Sequence, residues 1–191
     1  MKLLITGFEP FDGKTINPSW EAVRLLADRI GEYEVYKLEI PTVYGTAAQT
    51  VLEKAGQIRA DVIISVGQAG GREAVTPERI AVNIRDARIP DNAGVLCRGE
   101  RIAPEGPAAY FSTLPVEAMS QAIRDCGIPS VVSNTAGCYV CNDVLYTLLN
   151  AYAGKPVRVG FIHVPYLPEQ GTPNLPLEDT VKALEAAILA L

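Results

Sequence analysis

Residues 61–72, "DVIISVGQAGGR", decide the fold. The apolar run is strand-sized, lacks strict alternation and ends in a glycine-rich turn, as expected of a strand covered on both faces. Runs of similar character recur at 2–6 (KLLIT), 35–40 (VYKLEI), 79–84 (RIAVNI), 130–134 (SVVSN) and 157–165 (VRVGFIHVP). Between them, 17–31, 44–58, 115–127, 141–154 and 176–191 carry helical periodicity. Proline or asparagine opens most of these segments and glycine closes three, the usual helix punctuation. Strands alternating with helices imply a largely parallel sheet sandwiched by helices, an α/β fold. The 191 residues suit one domain, 1–191, with a sizeable core. Residues 85–110, rich in Pro, Gly and Arg, read as a long connection of the kind that carries function. Ligands of such sheets collect at the carboxyl ends of the strands.

Bulk composition narrows the function classes. A formal charge of −5 with no basic run argues against a nucleic-acid surface. No apolar stretch is long enough for a transmembrane helix, and "MKLLITGFEPF" reads as a first strand, not a signal peptide. Four cysteines without secretory features fit reduced thiols in a cytoplasmic protein. Two glycine-rich stretches resemble phosphate loops and fail on spacing. "GFEPFDGKT" (7–15) has five residues where the motif has four, and "GQAGGR" (67–72) does not match a dinucleotide fingerprint. A nucleotide-binding or phosphorylase-like module would need such a site, and the sequence offers no motif for one.

"NTAGCYVCNDVLYTLLN" (134–150) places Cys138 and Cys141 where a turn gives way to a helix. Three chemistries compete for that pair. A zinc site lacks partners, since the chain has one histidine and the other cysteines, Cys97 and Cys126, form no second close pair. No metal or cofactor is expected. A redox Cys-x-x-Cys fits the strand-to-helix position, but without an aromatic lead-in of the thioredoxin type. A nucleophile at Cys141 accounts for more: free N–H groups of the first helical turn favour thiolate and can hold an oxyanion. The single histidine, His163 in "FIHVPY", is the natural base. A third group should orient it; among many acids, Glu78 in "TPERIAVN" stands out because it opens a strand-like run beside the glycine-rich turn, although composition alone does not choose it.

Six ordered segments then carry a resemblance: "TGFEPFDG", "NPSWEA", "VGQAGGR", "TPERIAVNIRDARIPDN", "SNTAGCYVCN" and "GFIHVPYLPEQ". Together they resemble the pyroglutamyl peptidases of type I, also called pyrrolidone-carboxylate peptidases, along nearly the whole chain. The resemblance implies a three-layer α/β/α sandwich with a mixed, largely parallel twisted sheet, assembled as a homotetramer. It implies Cys141 as nucleophile, His163 as acid and base, Glu78 as its orienting carboxylate and Arg88 at the oxyanion. The substrates implied are peptides with an N-terminal 5-oxoproline. Phe8 and Phe11 are expected to sandwich the lactam ring, and Gln68 to match its N–H and C=O. Asn17, Tyr139 and the backbone near Val140 are further binding candidates. Two departures stand out: a shorter chain around 31–36, and a thiol at Cys138 where a residue such as threonine is expected.

Overall fold

A computed structural model describes all 191 residues. Its main sheet is built on four parallel strands, β1 (Lys2–Phe8), β3 (Tyr33–Ile40), β4 (Val62–Gln68) and β8 (Arg158–Val164). Short antiparallel strands, β2 (Arg29–Ile30) and β5 (Thr76–Pro77), close its two edges, giving the order β2-β3-β1-β4-β8-β5. A separate two-stranded ladder pairs β6 (Ile80–Val82) with β7 (Ala109–Phe111). The sheet is therefore mixed, and helices cover both faces.

The missing alternation in "VIISVG" has a direct structural cause. Val62, Ile64 and Val66 point into one apolar cluster, with Ala22 of α1 (Pro18–Val23), Met119 of α3 (Val116–Asp125) and Leu184 of α5 (Leu177–Leu189). Ile63 points into the other, with Ala48 of α2 (Thr46–Ile58) and Val144 and Leu148 of α4 (Val140–Ala151). Each fully buried aliphatic side chain contributes roughly 1.5–3 kcal/mol. Both faces of β4 thus help to hold the sandwich together, while the carboxyl ends of β1, β4 and β8 stay free to build a site.

Several expected elements differ in extent. The helix expected over 17–31 ends at Val23. There Leu25 and Leu26 donate to residues three back, at 3.2 and 3.3 Å, tightening the turn before the chain drops into β2. Residues 130–134 form only isolated bridges, Val75 to Ser130 and Glu78 to Ser133, because the neighbouring edge strand is two residues long and Val131 faces outward. "RIAVNI" shrinks to β6 and leaves the main sheet for β7, a strand inside the long connection that apolar patterning did not announce.

One contact fixes α1, whose cap residue Asn17 borders the site. Gly7 lies so close to α1 that an ideal Cβ there would fall 2.5 Å from the Trp20 Cα. At that point the Phe8 N–H donates to the Ser19 hydroxyl at 2.9 Å, and Asn17 caps the helix by accepting from the Ser19 N–H at 3.1 Å. Gly7→Ala must push the helix off the strand. Overpacking of this kind costs about 1–3 kcal/mol, and urea unfolding should show the lower midpoint; an unchanged midpoint would mean that α1 can slide freely.

Candidate active site

His163 lies near the end of β8, 4% exposed, in register with Gly67 of β4 on one side and Thr76 of β5 on the other. Edge strand β5 delivers Glu78 beneath it: the Glu78 N–H donates to the Phe161 carbonyl at 2.9 Å, and the carboxylate is 0% exposed. Glu78 Oε1 lies 2.7 Å from His163 Nδ1. The same oxygen accepts from Arg72 Nη1 at 2.6 Å. Arg72 is itself anchored through Nη2 to the Thr135 carbonyl at 2.9 Å, and Thr76 shares its Nη1. With Nδ1 donating to a carboxylate, Nε2 remains as the acceptor, the tautomer a general base requires.

Cys141 occupies the first turn of α4. The earliest N–H of this turn with an intrahelical partner is that of Asp143, on the Tyr139 carbonyl at 3.1 Å; those of Val140, Cys141 and Asn142 have none. The next two residues hold this helix end in place. Asn142 is fully buried, accepts from the Val82 N–H at 2.9 Å and donates to the carbonyls of Val82 and Ile84 at 2.9 and 3.0 Å. Asp143, also buried, binds Arg85 Nε at 2.7 Å and the Gly45 N–H at 2.8 Å. Below the helix, Gly67 makes room for the sulfur. An ideal Cβ at Gly67 would lie 2.9 Å from Cys141 Sγ and 2.8 Å from the Phe161 ring. The His163 ring lies 4.7 Å from the Phe161 ring, centroid to centroid. The Cys141 sulfur therefore sits over the one position on β4 that has no side chain, the register partner of His163 on β8.

The electrostatics correct the expectation of a preformed thiolate. Burial, followed by the Glu78 charge, pushes the Cys141 thiol up to about 12, and Arg72 with a backbone hydrogen bond offsets only part of this. Burial also lowers His163, against the hydrogen bond and charge of Glu78 that raise it, and Arg72 lowers it further. Burial opposes charge on Glu78 as well, but His163, Ser133 and Arg72 together bring its pKa below the usual carboxylate value. Without substrate the site holds an ionised Glu78, a neutral imidazole and a neutral thiol. The helix terminus favours a thiolate, but desolvation outweighs it.

A narrow cavity of about 40 Å³ is lined by Phe8, Phe11, Asn17, Thr42, Gln68, Tyr139 and Cys141. Phe8 is a core residue 6.3 Å from the Phe161 ring, whereas Phe11 is half-buried and 6.0 Å from Tyr139. Gln68 reaches the cavity with its carbonyl already accepting from Gln170 Nε2 at 3.0 Å, which leaves its amide N–H groups facing the space. The Asn17 side chain is mostly engaged as the α1 cap, and its amide donates to the Glu9 carbonyl at 3.0 Å. The Val140 side chain is buried in the core, so only its backbone is free to meet a ligand. Arg88 does not line this cavity; it stands exposed on a wider cleft with Cys138. Sequence reasoning missed Arg72, Gln170, Thr42 and the packing role of Gly67. The arginine closing "GQAGGR" and the glutamine closing "YLPEQ" were visible, but nothing local reveals a partner 6 or 102 residues away.

Two consequences can be measured. Acid should inactivate as His163 protonates, with an apparent pKa in kcat/KM below 6.5. Glu78 supports the imidazolium, so Glu78→Gln should move this limb to lower pH and lower kcat more than it changes KM. Arg72 opposes the imidazolium, so Arg72→Gln should move the limb upward; shifts of the same sign in both variants would refute the assigned charges. Separately, Gly67→Ala should leave a folded protein whose kcat falls by about a hundredfold, the cost of misplacing a reacting group by roughly 1 Å. Full activity in that variant would show that the sulfur is not seated on β4.

Comparison with known proteins follows the same geometry. The family model described as "Pyroglutamyl peptidase" matches residues 1–191. A pyrrolidone-carboxylate peptidase of Levilactobacillus brevis is 54% identical over 198 residues, covering 100% of this chain and 97% of the relative. That of Erwinia tasmaniensis is 49% identical over 193 residues, covering 98% and 91%. Among solved structures, pyroglutamyl peptidase I from Bacillus amyloliquefaciens superposes with a TM-score of 0.95 at 44% identity, over 99% of this chain and 93% of that one. The pyrrolidone carboxyl peptidase of Thermococcus litoralis gives 0.94 at 39% identity, over 99% and 92%. With a family model spanning every residue and relatives this similar, the chain belongs to the pyroglutamyl peptidase family of cysteine peptidases.

Proposed function

We propose that this protein hydrolyses the amide bond after an N-terminal pyroglutamyl residue of peptides, through a thioester on Cys141. The observation that carries the reading is the alignment of three elements over Gly67. These are a helix-terminal sulfur, an imidazole whose Nδ1 is held 2.7 Å from a buried carboxylate, and a small aromatic cavity shared with that sulfur. Family membership supports it.

The lactam ring enters between Phe8 and Phe11. Half-buried Phe11 forms the outer wall of this cavity and Phe8 its core-packed inner wall. Gln68 donates its free amide hydrogen to the lactam carbonyl, and its oxygen keeps a second lone pair for the lactam N–H. As Sγ attacks the scissile carbonyl, its proton passes to His163 Nε2; burial of both groups makes this transfer part of the attack instead of a prior ionisation. Charge developing on the carbonyl oxygen meets the unpaired Cys141 N–H, with Arg88 contributing from the cleft wall. Glu78 stabilises the imidazolium, which delivers its proton to the departing amine. A water deprotonated by His163 then cleaves the thioester, releasing 5-oxoproline and restoring the thiol. Every step is carried by the chain's own residues.

A redox role for Cys138 and Cys141 is the second reading. The two thiols line different cavities, and Cys141 sulfur is packed on Gly67, which favours a single nucleophile. A homo-oligomeric state belongs to the proposal, supported by exposed Phe111, Val131 and Leu189. So does a cytoplasmic setting, supported by four unpaired cysteines.

Release of a chromogenic amine from a pyroglutamyl amide, set against the matching prolyl amide, tests the reading. The prolyl ring lacks the carbonyl and carries a charged amine the cavity would have to desolvate, so the preference should reach roughly 10⁴. Cys141→Ala should abolish turnover and Cys138→Ser should retain it. Comparable cleavage of both amides, or loss of activity on Cys138→Ser alone, would refute the proposal. Gln68→Ala should lower kcat/KM for the pyroglutamyl amide with little gain for the prolyl one; an intact preference would assign the lactam to another group.

A further inference from the structure

Beside the substrate cavity lies a wider cleft, from whose wall Arg88 serves the oxyanion in the reading above. It measures about 650 Å³, and its walls include Asp12, Asp86, Arg88, Ile89, Cys138 and Tyr139. Tyr139 also lines the narrow cavity, so the two spaces share a wall. That wall is braced: the Tyr139 hydroxyl donates to the Pro90 carbonyl at 3.0 Å, and its ring contacts Phe11 and Tyr44 at 6.0 and 5.6 Å. Tyr139 lies two residues before Cys141 and borders both spaces, which gives a peptide held at Cys141 a route past this wall. The cleft is the large space on the other side.

The charge in the cleft is sparse and uncommitted. Asp12, Asp86 and Arg88 are exposed, and none of the three forms an ion pair. Both carboxylates sit at fixed backbone positions. Asp12 and Gly13 form a tight turn with φ of 53° and 69°, closed by the Lys14 N–H on the Phe11 carbonyl at 3.1 Å. The Asp86 N–H donates to the Cys138 carbonyl at 3.0 Å. The field of Asp12 reaches the shared wall at Tyr139, and that of Asp86 reaches Cys138 beside it. Burial and then Asp86 push the Cys138 thiol up, and Asp12 is among the charges that, after burial, push the Tyr139 hydroxyl up to about 12.

We propose that this cleft receives the leaving peptide and that Asp12 and Asp86 favour a lysine or arginine side chain in the two residues following the pyroglutamyl group. The inference rests on the peptidase reading above. A basic side chain meets two carboxylates against one guanidinium, and an acidic one meets the reverse balance. Because both carboxylates are solvated, the preference is modest and screened by salt.

The test compares kcat/KM for pyroglutamyl-Lys-Ala-amide, pyroglutamyl-Ala-Ala-amide and pyroglutamyl-Glu-Ala-amide, with a neutral chromogenic pyroglutamyl amide as reference. At low salt, Lys should exceed Glu by on the order of tenfold, with Ala between, and the gap should shrink in about 1 M salt. Asp12→Asn and Asp86→Asn should each cut the Lys-to-Glu ratio by roughly twofold to fivefold, leaving the reference rate unchanged. A ratio at or below one, or a ratio untouched in the double variant, overturns the proposal. If the wild type fails to turn over the neutral reference, the peptidase reading falls and this inference falls with it.

Discussion

A carboxylate shut away from water is the constraint on which the site depends. Glu78 has no exposure, and an isolated buried carboxylate costs several kcal/mol unless it is paired and hydrogen-bonded. Its Oε1 has two partners, Arg72 and His163, while Oε2 has no hydrogen-bond partner. Keeping Glu78 charged therefore requires that Arg72 come back over the sheet edge after the glycine-rich turn. It also requires the short strand β5 to lie against β8 in its observed register. The two-residue edge strand, the arginine anchored on Thr135 and the histidine tautomer are three expressions of one requirement. Burial does most to keep His163 neutral and His163 does most to keep Glu78 charged, with Arg72 adding to both effects.

The nucleophile is held in a different way, by shape. Asn142 and Asp143 fasten the end of α4 to residues 82–85 and to Gly45, and Gly67 leaves a seat beneath it. Rigid backbone on one side and a missing side chain on the other fix the sulfur without any hydrogen bond from the base. This arrangement keeps the thiol neutral at rest. Reactivity then depends on a substrate carbonyl arriving where unpaired N–H groups can take its developing charge.

The sequence made the layers legible because β4 carries apolar side chains on both faces and because helices α2, α3, α4 and α5 keep a clear helical period. It was silent on β5 and β7, whose two and three residues are too short for any period to register. Within the site, Cys141 stood out through its helix-start position and His163 through being the single histidine. Glu78 was marked by its place at the start of a strand-like run and secured by the family resemblance, whereas Arg88 came from the resemblance alone. Asn17 shows the limit of residue-type reasoning: a buried amide beside a cavity reads as a ligand contact, yet most of its hydrogen-bonding capacity is used in capping a helix. The low thiol pKa was misjudged for a similar reason. The helix terminus is visible in sequence, whereas the burial that outweighs it arises only when α4 is laid on β4.

The bond between Gln68 and Gln170 joins the end of β4 to a turn 102 residues later, just ahead of the segment leading to α5. It also makes the orientation of the Gln68 amide at the cavity a two-residue property. A mutation that exchanges Gln68 for another side chain leaves the Gln170 amide only its longer bond to the Ile16 carbonyl, at 3.4 Å, and one that exchanges Gln170 frees Gln68 to rotate. Substitutions at the two positions should therefore be non-additive. The pocket is thus a two-key lock, slow to drift by single steps.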